Sequence, residues 1–243
     1  MTHDIAALTA HLTTATSRVL TWLTPLGDSL LHHAHKPSSL PTWTNRELVT
    51  HIGKSMDAVI LAEVAPPGIA PLTLAEYLGT YPERAQQIAQ SARLQAHELD
   101  GSLLAYLRTQ FTSALAALEA FPQDSHTVVA ARRGPITLRD LIVSRLIEVV
   151  VHARDLEKSF HGIVDMTAGN TPVDPAAQRL VAVELLAIIV TRGGFSLEVT
   201  DPGLWIDLAT GRRDYNTADL AAALRPAHTA GGIPDLGRML PVL

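Results

Sequence analysis

The sequence predicts a mainly α protein, with a helical bundle over residues 1–165 and a small α+β unit over residues 174–243. Three observations carry this expectation. Apolar residues recur at threes and fours in long stretches up to Phe160, threonine-led capping signatures open several of those stretches, and a Gly/Pro/Thr/Asp-rich segment, Gly162 to Pro175, separates them from a tail of different character.

From Asp4 to Leu23 the apolar set Ile5, Leu8, Leu12, Val19 and Leu23 describes a first helix, stopped by Pro25 and Gly27. Thr44-Asn45-Arg46-Glu47 is a capping box, in which threonine and glutamate satisfy each other's free amides, so a second helix is expected from there to about Glu63. Thr73-Leu74-Ala75-Glu76 repeats the signature and opens a third helix reaching about Leu99, with a kink or break at Pro82. Leu103 to Phe121 is the fourth, ended by Pro122. His126 to Ala131 and a Gly134-Pro135 turn form a short extended excursion, and Thr137 caps a fifth helix running to about Phe160. In the tail, a helix from Asp174 to Thr191 is followed by two expected strands, Phe195 to Val199 and Trp205 to Leu208.

Composition narrows the chemistry. With 47% hydrophobic and 18% charged residues, the chain is an ordinary globular sequence. The absence of cysteine excludes disulfides, thiolate metal sites and an intrinsic thiol nucleophile, so any thiol chemistry needs a borrowed thiol. A formal charge of −5, with no basic cluster longer than Arg132-Arg133, argues against a nucleic-acid partner. The first twenty residues carry Asp4 and His11 and lack the profile of a signal peptide. The most apolar run, Leu180 to Val190, contains Glu184 and is far shorter than the ~20 residues of a membrane span. A cytoplasmic protein without a membrane partner is expected.

The fifth helix is apolar around most of its circumference. At about 100° per residue, Leu141, Ser144, Arg145, Glu148, His152 and Asp155 nevertheless share one stripe. An ionised carboxylate inside a bundle is costly unless it is paired or holds a metal, and Glu148 with His152 at i and i+4 brings two donor atoms within reach of one ion. The same spacing suits a buried Glu–His or Glu–Arg pair, with Arg145 as the cation. His51, beside the apolar face of Leu48, Ile52, Met56 and Val59, is the third ligand candidate. Its alternative is a histidine at the core edge donating to a carbonyl. Two nitrogens and one carboxylate oxygen, with a position left for water or substrate, are the usual content of a catalytic zinc site. Asp155 either orients His152 or pairs with Arg154 or Lys158. His32, His33 and His35, beside Lys36-Pro37-Ser38-Ser39, read as solvated loop residues.

Trp43-Thr44-Asn45-Arg46-Glu47-Leu48-Val49-Thr50-His51 resembles the W-[ST]-x-[RK]-[DE]-L-x-x-H signature of the mycothiol-dependent maleylpyruvate isomerase family, within the DinB-like metalloenzyme bundles. The segment Arg145 to Leu156 is similar to that family's R-x-x-E-x-x-x-H-x-x-D-L. The resemblance implies a four-helix bundle and, carried over residue by residue, a divalent ion held by His51, Glu148 and His152. Zinc suits that set best, although nickel, cobalt, manganese and iron can occupy it. The run Thr200 to Arg212, with the terminal Leu240-Pro241-Val242-Leu243, resembles the D-P-x-x-W-x-x-L-A-T-G-R and L-P-x-L pattern of a small bacterial sterol-carrier-like domain often fused to such bundles, in a shortened form. Arg212 falls on that pattern.

These resemblances imply an enzyme using mycothiol or a related thiol on a small electrophile, as isomerase or S-transferase. Arg212 is the candidate catalytic residue, able to fork onto a substrate carboxylate as Arg213 also could. A different class stays open, a sterol- or lipid-carrier-like protein in which the tail binds a hydrophobic ligand and the metal site is structural or vestigial. Monomer against homodimer also stays open.

Overall fold

Side-chain caps decide where most helices begin. Asp4 accepts from Ala7 N at 2.7 Å and opens α1 (Ile5–Leu23). A 3-10 turn, Thr24–Leu26, leads to α2 (Ser29–Ala34). The Thr44/Glu47 capping box forms in full and opens α3 (Asn45–Ser55), at a typical worth of about 1 kcal/mol for such a cap. A computed structural model of the chain describes residues 4–27, 29–99, 101–163, 170–228 and 232–242.

The expected second helix is interrupted. The Met56 amide turns back to Gly53 O, a short α4 (Asp57–Ile60) follows, and Glu63–Val64 is a strand, β1. The third helix is also two: Thr73 caps α5 (Leu74–Gly79), and α6 (Tyr81–Glu98) starts after Thr80. Pro82 therefore sits in the first turn of α6, where its missing amide is no loss, and does not kink a continuous helix. Next come α7 (Leu103–Ala120), β2 (Val128–Ala131), β3 (Gly134–Thr137) and α8 (Leu138–Ser159), the last capped by Thr137 as expected. The hairpin bends at Arg132-Arg133, one step before the Gly134-Pro135 turn read from sequence. Gly134 instead begins β3 at φ +128°, a conformation that side chains rarely adopt.

In the tail, Asp174 caps α9 (Pro175–Gly193), which is followed by β4 (Leu197–Val199), α10 (Pro202–Ala209), α11 (Thr217–Ala223) and β5 (Leu224–Pro226). Residues 205–208 are helix, not strand. Asp201 accepts from Leu204 N at 3.0 Å with Pro202 in the first turn, and this local start outweighs the β preference of Trp205 and Ile206. The partner of β4 is β5, antiparallel, with Glu198 opposite Arg225. Residues 164–169, the middle of the expected linker, lie outside the described residues.

The fold is mainly α. Helices α1, α3, α7 and α8 pack as a four-membered ring of neighbours, α1 on α8, α8 on α3, α3 on α7 and α7 on α1. Gly53 permits the close α3–α7 approach, since a Cβ there would stand 2.7 Å from Tyr106 Cε1. Helix α6 lies against α3, and α9 against α8 and α1. A continuous set of buried apolar residues runs from Ile5 through α8 to Trp205 and Val242. The sheet β1-β2-β3 covers one end of the bundle core through Val129 and Ile136, both fully buried. No described helix is long and apolar enough to cross a membrane.

Candidate metal centre

Helix α8 is buried along nearly its whole length, so its polar stripe is inside the protein. Ser144, Arg145, Glu148, His152 and Asp155 are all buried, and His51 of α3 joins them. His51 Nε2 lies 3.4 Å and His152 Nε2 3.3 Å from Glu148 Oε2, and one donor atom from each residue falls within 4.8 Å of the others. Tetrahedral coordination at ~2.0–2.2 Å bond lengths separates neighbouring ligand atoms by about 3.3–3.6 Å. The three residues could therefore hold one divalent ion with little movement.

Each donor is oriented from behind. His152 Nδ1 is 2.9 Å from Asp155 Oδ2, which turns Nε2 toward Glu148. The Tyr81 hydroxyl donates to Glu148 Oε1. Arg145 donates from Nη1 to Ser55 O at 2.6 Å and from Nη2 to the Tyr81 oxygen at 3.2 Å, while Nη2 stands 4.0 Å from Glu148 Oε1. The Trp43 ring meets His51 edge to face, centroids 5.2 Å apart, and the two histidine rings do the same at 4.7 Å.

The electrostatics follow from these contacts. Burial opposes charge on Glu148, but His152, His51 and Arg145 outweigh it and hold the carboxyl well below the usual carboxylate range. The histidines shift in opposite directions. Burial, reinforced by the His152 and Arg145 charges, lowers His51 despite Glu148, whereas Asp155 and Glu148 together overcome burial and raise His152. Burial and the Glu148 charge push the Tyr81 phenol up to about 12, so it remains a donor.

The buried Glu–His and Glu–Arg pairs of the alternative reading form, and the same donors stand close enough together to hold an ion. Glu148 has an arginine nearby as well as two imidazoles. Asp155 is paired with His152, not with its helix neighbours, because Arg154 and Lys158 reach Asp207 of α10 at 2.8 and 3.2 Å. Arg212 is brought to the site: Nη2 donates to Asp155 Oδ2 at 3.2 Å, Nη1 to Thr210 O at 2.9 Å, and Nε is shielded from solvent without a partner. Arg213 turns away and pairs with Asp219. His32 and His33 belong to α2 instead of a loop, and His35 follows it, exposed. None of these three is in the donor group.

The donors line a pocket of about 350 Å³ whose other walls include Leu40, Trp43, Ile88, Ile147, Val151 and Arg212. It is largely apolar with a charged edge, which suits a small organic molecule. Tyr81 is the functional residue that sequence reading missed. Its neighbour Pro82 marks only a helix boundary, and its partner Glu148 is 67 residues away.

A sequence profile described as the mycothiol maleylpyruvate isomerase N-terminal domain matches residues 12–157. Among solved structures, that of a mycothiol-dependent maleylpyruvate isomerase is similar at 18% identity and a TM-score of 0.49, over 75% of this chain and 70% of that one. A histidine-to-alanine mutant of a mycothiol-dependent maleylpyruvate isomerase is similar at 16% identity and a TM-score of 0.50, over 83% and 78%. At such identity the latter likeness speaks for the fold alone. No curated protein matches. The matched segment contains His51, Glu148 and His152 together with the helices that present them, and the chain belongs to the mycothiol maleylpyruvate isomerase N-terminal domain family.

Proposed function

We propose that this protein is a metal-dependent enzyme that uses a low-molecular-weight thiol, mycothiol in the first instance, to act on a small electrophile as an isomerase or S-transferase. The observation that carries the reading is the convergence of two histidine nitrogens and one glutamate oxygen at the edge of an apolar pocket of small-molecule size. Family membership supports the thiol. Zinc suits the donor set, and a divalent ion there would lower a thiol pKa from its ordinary value of about 8.5 and so supply thiolate at neutral pH.

The chain's own residues prepare that chemistry. Asp155 fixes the His152 tautomer, while Tyr81 and Arg145 keep Glu148 oriented and ionised. Leu40, Trp43, Ile147 and Val151 supply apolar walls for the electrophile's carbon skeleton. Arg212, which lines the same pocket, would receive a carboxylate of the electrophile on the guanidinium hydrogens left free by Thr210 and Asp155. Sulfur addition to a conjugated double bond makes that bond single and free to rotate. Expulsion of the sulfur restores the double bond in an isomerase, and retention of the S–C bond defines a transferase.

The test is metal per chain after dialysis for wild type, His51→Ala and Glu148→Ala, followed by thiol-dependent turnover of α,β-unsaturated acids. About one ion per chain, lost in both variants, with turnover requiring both ion and thiol, is expected. A wild type that refuses added zinc, or that holds it without any thiol-dependent turnover, overturns the reading.

A further inference from the structure

A second cavity, about 80 Å³, shares His51, Ile88 and Glu148 with the apolar pocket. Its remaining wall carries Asp57 but more cations, drawing Lys54 from α3, Arg84 from α6, Arg132 and Arg133 from the β2–β3 turn, and Arg145 from α8. Two of these charges are answered inside the protein. Lys54 stands 3.4 Å from Asp57, and Arg145 stands 4.0 Å from Glu148 with Ser55 O at 2.6 Å. Among the described residues, Arg84, Arg132 and Arg133 have no carboxylate within ion-pair distance.

Three guanidinium groups, one from α6 and two from the β2–β3 turn, repel one another around so small a space. Arg133 is the most constrained. Its guanidinium carbon lies 3.7 Å from the Tyr81 ring centroid and 5.7 Å from that of Tyr77, and its Nη1 is shielded from solvent with no acceptor. A cationic donor left unsatisfied is costly, and because Arg133 lines the cavity, a small turn of its guanidinium would let an oxygen bound there remove that cost. The volume admits a carboxylate and little more, and planar guanidinium forks match a carboxylate's two oxygens.

We propose that this cavity is an oxyanion subsite, built by Arg84, Arg132 and Arg133, that takes a carboxylate of the small ligand bound beside His51, Glu148 and His152. The proposal rests on the reading of those three donors as a substrate site. It extends that site past the shared residues His51, Ile88 and Glu148, and it assigns a role to the Arg132-Arg133 pair, whose bend brings both side chains to the cavity.

The experiment is calorimetric titration of the full chain with succinate, an unreactive dicarboxylate, and with neutral succinamide. Wild type is compared with the double variant Arg84→Gln/Arg132→Gln and with Arg133→Gln. Arg132 is exposed and Arg84 partly so, and the double variant keeps the Arg133–Tyr81 stacking, so a folding defect is not expected to obscure it. Succinate should bind wild type, succinamide should not, and each variant should weaken succinate by about tenfold or more while metal content stays constant. A parallel titration with mercaptosuccinate against mercaptoethanol identifies the source. A gain for the acidic thiol that exceeds the gain for succinate places the carboxylate on the thiol, and equal gains place it on the electrophile. Succinate binding unchanged in both variants, or no stronger than succinamide in wild type, overturns the subsite. Succinate binding that needs the three arginines in a protein unable to hold zinc would leave the subsite standing and sink the metal reading instead.

Discussion

Asp155 grips His152 through the ring nitrogen that faces away from Glu148, Oδ2 to Nδ1 at 2.9 Å, and its same oxygen accepts from Arg212 Nη2 at 3.2 Å. A carboxylate one turn down α8 thereby links a metal-ligand candidate from the bundle to an arginine from the tail. The burial of Asp155, 1% exposed, makes the link rigid, and His152 and Arg212 overcome burial to hold its carboxyl below the usual range.

Asp155→Asn should keep the fold but weaken zinc binding by about 10–100-fold, the usual effect of losing an outer hydrogen bond to a ligating imidazole. Competition against a chromogenic chelator reads this directly. Wild-type affinity in the variant would mean that His152 is held by packing alone.

The opposed shifts of the two histidines give the metal-stripped protein a pH optimum. His152, raised by Asp155 and Glu148, contributes stability that is complete below the unfolded value of 6.5 and is lost as pH rises through its folded pKa. His51, lowered by burial, disfavours the folded state as pH falls below 6.5 toward its own folded pKa. Glu148, depressed by its cationic neighbours, adds stability present above 4.5 and lost at lower pH. Urea unfolding across pH should therefore show maximal stability near 6.5 for the stripped protein. His51→Gln should flatten the acid limb, and His152→Gln the alkaline one. A curve rising steadily from pH 6 to pH 8, in which the raised His152 has no part, would contradict this.

How much of this was legible depends on sequence distance. The caps at Asp4, Thr44, Thr73 and Thr137 are encoded within four residues and appear where expected, and the α8 stripe follows from helical periodicity alone. The family motifs locate His51, Glu148 and His152, which the fold brings to one point. Tyr81 and Arg133 carry no such local signal, because each acquires its role only through packing: Tyr81 by reaching Glu148, and Arg133 by lying on Tyr81. Residues 205–208 form helix against the expected strand because the β-favouring Trp205 and Ile206 sit in a window of four positions, too short to outvote the Asp201-Pro202 helix start.

Trp205→Ala should destabilise the protein by about 3–5 kcal/mol, the usual cost of truncating a buried aromatic, and it also frees the carbonyl of Ala182 from its indole partner. Because α9 packs on both α8 and α1, the loss should lower a single melting transition that also reports the bundle. Calorimetry that resolves two transitions, with only one of them moved, would show instead that the tail unfolds on its own.

Arg145→Met offers a different separation, between holding Glu148 in the fold and holding it for a metal. Arg145 is 1% exposed and its guanidinium satisfies Ser55 O and the Tyr81 oxygen, while its charge faces Glu148 at the long distance of 4.0 Å. Removing one member of a buried ion pair typically costs roughly 3–5 kcal/mol, and at this separation the lower end is expected. Methionine fills much of the volume, so the loss is chiefly the poorer compensation of Glu148, left with His51 and His152, and the orphaned carbonyl. A divalent ion on Glu148 supplies the missing positive charge from the other side. The variant should therefore be markedly less stable than wild type when stripped of metal, and should recover a larger share of stability than wild type on adding zinc. Thermal melts of both proteins with and without zinc measure the difference. An equal zinc-induced shift in wild type and variant would mean that Arg145 braces the backbone at Ser55 and does little for the charge on Glu148.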